Sequence, residues 1–258
     1  MGTKHRDRRV ERASARPGKD VSRTNEYINL PRNEAQRAAE RLFPTADWMF
    51  LMGVVGTGKT HWAMKLAMDA LLGRAKLPFT VRKVILSRPT VEAGPKQGFL
   101  PGTADDKMGP WLKPIEDVLR NLTTARAEQL MKTFEICPFQ YMRGRTFDDC
   151  VVIIDECQNC SFDLLELAYT RLGERGRMIF CGSYTQSDLP KDQRDLEYFV
   201  DAIHGTPGSA VVYFDESMIT RNPRMAGGLK ALAGGRARME ADRKKSLPSL
   251  TPRRRGVA

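Results

Sequence analysis

Residues 53–60 read Gly-Val-Val-Gly-Thr-Gly-Lys-Thr, which fits the pattern of a glycine, any four residues, a glycine, a lysine and then serine or threonine. An apolar run from Trp48 to Met52 precedes this octapeptide, and a helical pattern that starts at His61 follows it. A strand, a glycine-rich loop and a helix in this order form the context in which the pattern indicates a phosphate-binding loop. The octapeptide therefore predicts an α/β fold with a strand directly before the loop and a helix directly after it.

The residue types of the loop explain how it would hold a nucleotide. Glycines let the backbone N–H groups point inward at the positive end of the following helix. Lys59 would bring a positive charge to the β and γ phosphate oxygens, the Thr60 hydroxyl would ligate Mg²⁺, and Thr57 is expected to be a spacer within the loop. We therefore expect ATP and Mg²⁺ as cofactors. The predicted nucleotide-binding residues here are Gly53, Val54, Val55, Gly56, Thr57, Gly58, Lys59, Thr60 and His61.

Five short apolar runs alternate with helical patterns along the chain. The predicted strands are Trp48 to Met52, Val84 to Leu86, Val151 to Ile154, Met178 to Cys181 and Val211 to Phe214. Continuous apolar runs separated by amphipathic stretches favour a predominantly parallel sheet with helices on both faces. With 258 residues, the chain can form one such α/β domain with residues left for tails. We place this P-loop NTPase domain at residues 28–225.

A candidate hydrolysis site follows the third predicted strand. Asp155 and Glu156 come directly after Val151 to Ile154, at the carboxyl end of a buried strand. Because adjacent side chains diverge, we expect Asp155 to bind the metal and Glu156 to act as the base that orients the attacking water. Gln186 follows the next strand and could bridge the γ-phosphate to that water, although an ordinary polar turn would explain it too.

Positive charge is concentrated at the two ends of the chain. Of the net charge of +11, residues 1–24 hold eight Lys/Arg against three Asp/Glu, and residues 226–258 hold nine against two. Such segments are too polar to pack, so we predict flexible basic arms at residues 1–27 and 226–258. Contact with a nucleic-acid backbone is the favoured role, and solubilising tails are the alternative.

Residues 88–114 are rich in proline and glycine and are predicted to form an irregular surface excursion. The excursion carries Lys96, Phe99, Lys107, Trp111 and Lys113, which could contact phosphates and stack on unpaired bases. Packing against the core or against a neighbouring subunit is the alternative.

Cys157 and Cys160 form a Cys-x-x-Cys pair, but the sequence has no second pair at zinc spacing.

The location of the protein is expected to be cytoplasmic. No apolar run approaches the roughly 18 residues that span a bilayer, and the first 20 residues lack the apolar stretch of a secretory signal. The five cysteines fall mostly in apolar runs, which predicts reduced thiols in the core.

Several ordered motifs resemble the PhoH family of P-loop proteins. They are Ser87 to Gly94, Gly98 to Gly102, Tyr141 to Thr146, Asp155 to Asn159 and Thr185 to Pro190. The resemblance covers roughly residues 30–225, which leaves only the arms outside it. It implies a single RecA-like core related to superfamily 1 helicases, ATP hydrolysis and an association with RNA.

The resemblance also implies roles for two further residues. Gln36 matches the glutamine that reads the adenine edge, and Arg221 matches an arginine that would contact the γ-phosphate or act as an arginine finger. One position departs from the family pattern, because Ser183 follows Gly182 where the family usually has an aspartate. This departure puts full catalytic activity in question.

The chain holds one P-loop and one acid pair, so a second motor unit would have to come from another copy. We therefore expect a homo-oligomer, plausibly a hexameric ring, with Arg221, Arg143 or Arg145 reaching a neighbour's nucleotide. Arg143 and Arg145 could instead brace the loop before Val151 or contact RNA. Single-stranded RNA is the expected partner, with a small-molecule kinase and a non-hydrolysing ATP switch as rival functions.

Overall fold

The computed structural model describes residues 30–89, 124–190, 193–222 and 224–246. The N-terminal arm and nearly all of the excursion from Arg88 to Pro114 lie outside the described residues. Five residues proposed for nucleic-acid contact fall there and remain predictions, namely Lys96, Phe99, Lys107, Trp111 and Lys113.

The described chain forms a parallel sheet of six strands. In chain order the strands are β1 (Trp48–Gly53), β2 (Lys83–Ser87), β3 (Phe134–Ile136), β4 (Cys150–Ile154), β5 (Gly176–Gly182) and β6 (Ser209–Phe214). Their order across the sheet is β3-β2-β4-β5-β1-β6, and every neighbouring pair is parallel. All five predicted strands are confirmed, and β3 is an additional short strand at one edge.

Helices cover both faces of this sheet, as predicted. The helices of the described part are α1 (Glu34–Leu42), α2 (Lys59–Leu71), α3 (Thr124–Met131), α4 (Phe162–Tyr169), α5 (Leu196–Ile203) and α6 (Met225–Ser246), and α1, α2, α4 and α5 contribute buried residues to the two faces. Alternate residues of β1 belong to two separate buried clusters. Met49 and Leu51 pack with α1 and α2, whereas Phe50 and Met52 pack with α4 and α5. The predicted α/β class, with helices on both sides of a parallel sheet, is therefore confirmed.

The register of the sheet brings the ends of five strands to one edge. Gly53 is paired with Phe214, Met52 with Gly182, and Ser87 with Ile154. Strand β5 separates the strand that precedes the glycine-rich loop from the strand that precedes Asp155. The segments that follow β1, β2, β4, β5 and β6 therefore meet at the carboxyl edge of the sheet, where parallel α/β proteins bind their ligands.

The C-terminal region differs from the prediction of a flexible arm at residues 226–258. Residues Met225–Ser246 form helix α6, and residues 247–258 lie outside the described residues. The helical stretch is rich in alanine, lysine, arginine and methionine, which have good helix propensity and here outweigh its glycines. Most of its described side chains are exposed.

None of the helices in the described part of the chain combines the length and the apolarity that crossing a bilayer requires.

Candidate functional site

A cavity of about 560 Å³ opens at the carboxyl edge of the sheet. Ten residues predicted for nucleotide binding or catalysis line it, namely Val55, Gly56, Gly58, Lys59, Thr60, His61, Asp155, Glu156, Gln186 and Arg221. Six further lining residues were not assigned to the site from the sequence, namely Arg88, Gln158, Cys181, Gly182, Ser183 and Thr220. The volume lies within the range typical of small-ligand sites.

The glycine-rich loop is anchored to strand β6. The N–H of Val54 donates to the carbonyl oxygen of Phe214 at 3.1 Å. Gly53 has a φ of 146°, and a Cβ atom added there would lie 2.0 Å from the same oxygen. Gly58, with a φ of 84°, occupies the left-handed region directly before α2. Glycine is required at these two positions because any side chain would clash with the backbone or strain it.

Lys59 lies in the first turn of α2 and bends back over the loop. Its Nζ atom donates to the carbonyl oxygens of Gly53 and Val54, both at 2.9 Å. Burial lowers the pKa of Lys59, and the nearby carboxylates of Glu156 and Asp155 oppose this shift. The ammonium group is thus held at the cavity by neutral carbonyl groups, which a phosphate could replace as its partner.

Thr60 and Asp155 join the two halves of the site. The Thr60 hydroxyl donates to Asp155 Oδ1 at 2.7 Å, across 95 residues of sequence. Asp155 is only 2% exposed, and its other carboxylate oxygen forms an ion pair with Arg88. A hydroxyl and a carboxylate are the oxygen ligands that Mg²⁺ prefers. These two residues therefore fit the predicted metal site.

Glu156 adopts a left-handed backbone conformation, with φ 55° and ψ 37°, between β4 and the 3₁₀ turn Cys157–Asn159. This conformation turns the exposed Glu156 side chain away from the buried Asp155 and into the cavity. Gln158 Nε2 donates to Glu156 Oε2 at 2.6 Å, and Gln158 Oε1 accepts the N–H of Ser183 at 3.1 Å. Gln158 thus ties the candidate base to the end of β5.

Two thiols lie near the acid pair: Cys181 lines the cavity, and Cys157 directly follows Glu156. Both are buried, and burial raises the pKa of each thiol well above its ordinary value. They therefore stay neutral and pack as apolar side chains. Among the described residues, no three His, Cys, Asp or Glu side chains form a group that could hold a metal ion. Cys157 and Cys160 therefore belong to no such group.

Four predicted nucleotide-binding residues do not line the cavity. Gly53 and Val54 lie at the root of the loop, and the fully buried Thr57 donates to the Val54 carbonyl at 2.9 Å, as a spacer would. Gln36, near the start of α1, is buried, and its Oε1 accepts the N–H of Arg32 at 2.6 Å. The backbone carbonyl of Gln36 accepts the indole N–H of Trp62 in α2 at 3.1 Å. Because Gln36 does not line the cavity, its role in reading adenine remains a prediction.

The three arginines predicted as finger candidates lie in different settings. Arg221 lines the cavity of its own chain, where its backbone N–H donates to the Gly56 carbonyl at 3.1 Å. Arg221 therefore lies beside the candidate site of its own chain, and its role towards a phosphate remains a prediction. Arg145 pairs with Glu135 at 2.6 Å and covers the Phe147 ring, which matches the predicted bracing role before β4. Arg143 is exposed and lies outside the cavity.

Comparison with known proteins supports one family. The family model described as PhoH-like protein matches residues 29–232. A PhoH-like protein of Bacillus subtilis is 39% identical over 184 residues, which cover 70% of this chain and 56% of that protein. Protein PhoH of Escherichia coli K12 is 38% identical over 167 residues, which cover 63% of this chain and 46% of that protein. The chain thus spans about half the length of the curated relatives it matches.

Solved structures give a weaker likeness. The large terminase of a thermophilic bacteriophage aligns with a TM-score of 0.41 and 11% identity, over 72% of this chain and 46% of the terminase. A value this low identifies no function. The family model, in contrast, matches well over half of the chain and includes the loop, the acid pair and Arg221. The chain belongs to the PhoH-like family of P-loop NTPases.

Proposed function

We propose that the protein binds ATP with Mg²⁺ in the cavity at the carboxyl edge of the sheet and hydrolyses it. The observation that carries this proposal is the 2.7 Å contact between Thr60 and Asp155. Through it the phosphate-binding loop and the acid pair face the same cavity. Hydrolysis requires that the loop and the acid pair act on the same triphosphate.

Seven residues of the cavity then have a role in positioning or charge. Lys59 contacts the phosphate oxygens, and Thr60 and Asp155 hold Mg²⁺, which neutralises charge on the triphosphate when bound. Glu156 orients the attacking water and accepts its proton, while Gln158 fixes the Glu156 carboxylate. Gln186 holds the water against the terminal phosphate, and Arg221 contacts that phosphate from within the same chain.

We further propose that the protein acts on nucleic acid, with single-stranded RNA as the substrate. The support is charge near the site. A polar groove of about 550 Å³ adjoins the cavity. Arg88, which follows β2, and Arg236 of α6 line it together with the acids Glu156 and Asp188. By sequence, residues 226–246 hold six Lys/Arg against two Asp/Glu, and Arg253, Arg254 and Arg255 follow. The C-terminal segment thus carries a net positive charge, which suits contact with a phosphate backbone.

The proposed working form is a cytoplasmic homo-oligomer, with a hexameric ring as the expected size. One core of this kind would move a strand by opening and closing against a second copy. Five buried, unpaired cysteines are in keeping with a reducing compartment. Light scattering coupled to size-exclusion chromatography, with and without ATP, measures the oligomeric state. A monomer under both conditions would exclude the ring.

A switch that binds ATP without turnover is the second candidate, because Ser183 replaces the aspartate usual in the family. The contacts at this position favour turnover nonetheless. Ser183 holds Gln158 through its backbone N–H, and the Ser183 hydroxyl lies 3.2 Å from that of Thr185. The link from β5 to Glu156 therefore does not depend on the side chain at position 183.

Phosphate release, measured with and without single-stranded RNA, tests the proposal. Release that RNA stimulates supports the motor, nucleotide binding without release supports the switch, and ADP formation only with a small acceptor supports a kinase. Two variants assign the site. Lys59→Ala is expected to lose nucleotide binding, whereas Glu156→Gln is expected to bind ATP without hydrolysing it. Normal turnover in Glu156→Gln would exclude Glu156 as the base.

A further inference from the structure

Both oxygens of the Asp155 carboxylate already have a partner. Oδ1 accepts the Thr60 hydroxyl, and Oδ2 is paired with the guanidinium group of Arg88. Asp155 is 2% exposed in its side chain, and Arg88 is 30% exposed. The pair therefore connects a buried anion to a cation at the rim of the cavity.

The sheet itself sets this pairing. Arg88 directly follows β2 and Asp155 directly follows β4, and these two strands are neighbours with Ser87 in register with Ile154. The N–H of Asp155 also donates to the Ser87 carbonyl at 2.8 Å, which fixes the two backbones at this point. The ion pair is thus a consequence of two core strands that end side by side.

The same pairing conflicts with the metal role of Asp155. A buried carboxylate needs a compensating charge, which Arg88 supplies. A divalent cation on Asp155 would take over that compensation and would repel the guanidinium group at short range. Arg88 lines the nucleotide cavity, so a phosphate bound there is within reach of its long side chain. When the metal binds Asp155, the guanidinium group of Arg88 would lose this carboxylate and would pair with a phosphate of the bound triphosphate instead.

We propose that Arg88 is an exchange residue, which pairs with Asp155 before the nucleotide binds and with the terminal phosphate afterwards. This inference rests on the proposed ATP site and adds a mechanism of selectivity to it. Metal alone binds poorly, because it must displace Arg88 without offering it a partner. ATP is preferred over ADP, because only the longer nucleotide supplies the phosphate that receives the guanidinium.

The substitution Arg88→Gln separates these two effects. Mn²⁺, as a paramagnetic substitute for Mg²⁺, is titrated into the full-length protein without nucleotide, and free Mn²⁺ is followed by electron paramagnetic resonance. Arg88→Gln is expected to bind Mn²⁺ about fivefold or more tightly than the unsubstituted protein, because Asp155 has lost its competing cation. Fluorescent ATP and ADP analogues, titrated with Mg²⁺, are expected to show about tenfold less preference for ATP.

A matched control lies at the other end of β4. Arg175 pairs with Asp149 at 2.7 Å, and Asp149 directly precedes the strand that Asp155 follows. Arg175→Gln removes the same charge from an arginine–carboxylate pair outside the cavity. It is expected to change neither Mn²⁺ binding nor the preference for ATP. Equal effects of Arg175→Gln and Arg88→Gln would reduce the result to net charge and overturn the proposal.

Arg88→Lys keeps the test decisive if the glutamine variant fails to fold. Lysine retains a cation for Asp155, so Mn²⁺ binding should stay near that of the unsubstituted protein. It lacks the planar fork that matches a phosphate, so the preference for ATP should still fall. Unchanged ATP preference in both variants, or unchanged Mn²⁺ binding in a folded Arg88→Gln, would refute the exchange. Failure of the unsubstituted protein to bind either nucleotide would instead refute the proposed function.

Discussion

Gln158 donates a 2.6 Å hydrogen bond to the carboxylate of Glu156, the residue proposed as the catalytic base. The other end of the same side chain accepts the N–H of Ser183 at the end of β5. Gln158 is buried, whereas Glu156 is exposed to the cavity and has a left-handed backbone. A buried amide with two partners thus positions an exposed carboxylate.

Loss of this contact should slow hydrolysis without weakening nucleotide binding. We predict that Gln158→Leu lowers kcat on the order of tenfold to a hundredfold, because the base is no longer oriented. The affinity for ATP should change by less than about threefold, since Lys59 and the loop are unaltered. Steady-state phosphate release and titration of a fluorescent ATP analogue measure the two quantities.

A double-mutant cycle checks that Gln158 acts through Glu156. In the Glu156→Gln background, the residual phosphate release, followed at high protein concentration, is expected to fall no further with Gln158→Leu, because the carboxylate that Gln158 positions is already absent. An additional loss of about tenfold in that background would show that Gln158 has a separate function.

The core strands and the candidate site residues at their ends were accessible from the sequence, because both leave local patterns. Buried parallel strands give continuous apolar runs, and the loop and acid pair directly follow two of them. Strand β3 was missed, because Phe134–Ile136 is only three residues long, includes Glu135 and pairs with β2 alone. A strand this short at the sheet edge leaves no apolar run to recognise.

Arg88 shows what a sequence pattern cannot supply. It was noted as part of a family motif, yet its contact with Asp155 spans 67 residues and depends on the neighbouring positions of β2 and β4. Gln158 was missed for the same reason, because its second partner, Ser183, lies 25 residues away, directly after β5. Strand order, which the sequence does not encode locally, decides which strand ends meet.

The anchor of the loop on β6 predicts a large loss of stability for Gly53→Ala. The new Cβ would lie 2.0 Å from the Phe214 carbonyl oxygen, so the loop or the strand must shift. We expect a loss of about 3 kcal/mol or more in the free energy of unfolding, measured by chemical denaturation. Nucleotide binding should fall as well, since the loop follows this residue directly.

Gly144→Ala is the matched control for this substitution. Gly144 also has a positive φ, 76°, but an added Cβ would meet nothing within 4 Å among the described residues. Only backbone strain remains, so the loss should be about 1 kcal/mol. Equal losses for Gly53→Ala and Gly144→Ala would mean that the clash of the new Cβ with Phe214 adds nothing to the loss of stability.

The C-terminal arginines predict a salt-dependent contribution to RNA binding. Arg253, Arg254 and Arg255 lie outside the described residues, and substituting all three by glutamine changes none of the residues that line the described cavity. Because each arginine is expected to neutralise one phosphate, the slope of log affinity against log salt should become shallower by about 2 for a single strand. Fluorescence anisotropy over a salt series measures the slope, with basal ATPase activity as the control that should not change. An unaltered slope would assign this segment to solubility.

The protonation of Lys59 predicts how nucleotide affinity depends on pH. Burial lowers the pKa of Lys59 below its ordinary value of 10.5, and contact with an anionic phosphate would raise it again. The nucleotide complex therefore holds the proton more tightly than the free protein does. Affinity is complete below the lowered pKa and falls as the pH rises through it, by at most about tenfold per pH unit. The variant Lys59→Arg stays charged throughout this alkaline range and should lose the dependence, whatever its absolute affinity. Nucleotide titrations of both proteins at rising pH test this, and a parallel decline in the two would assign the effect to a group other than Lys59.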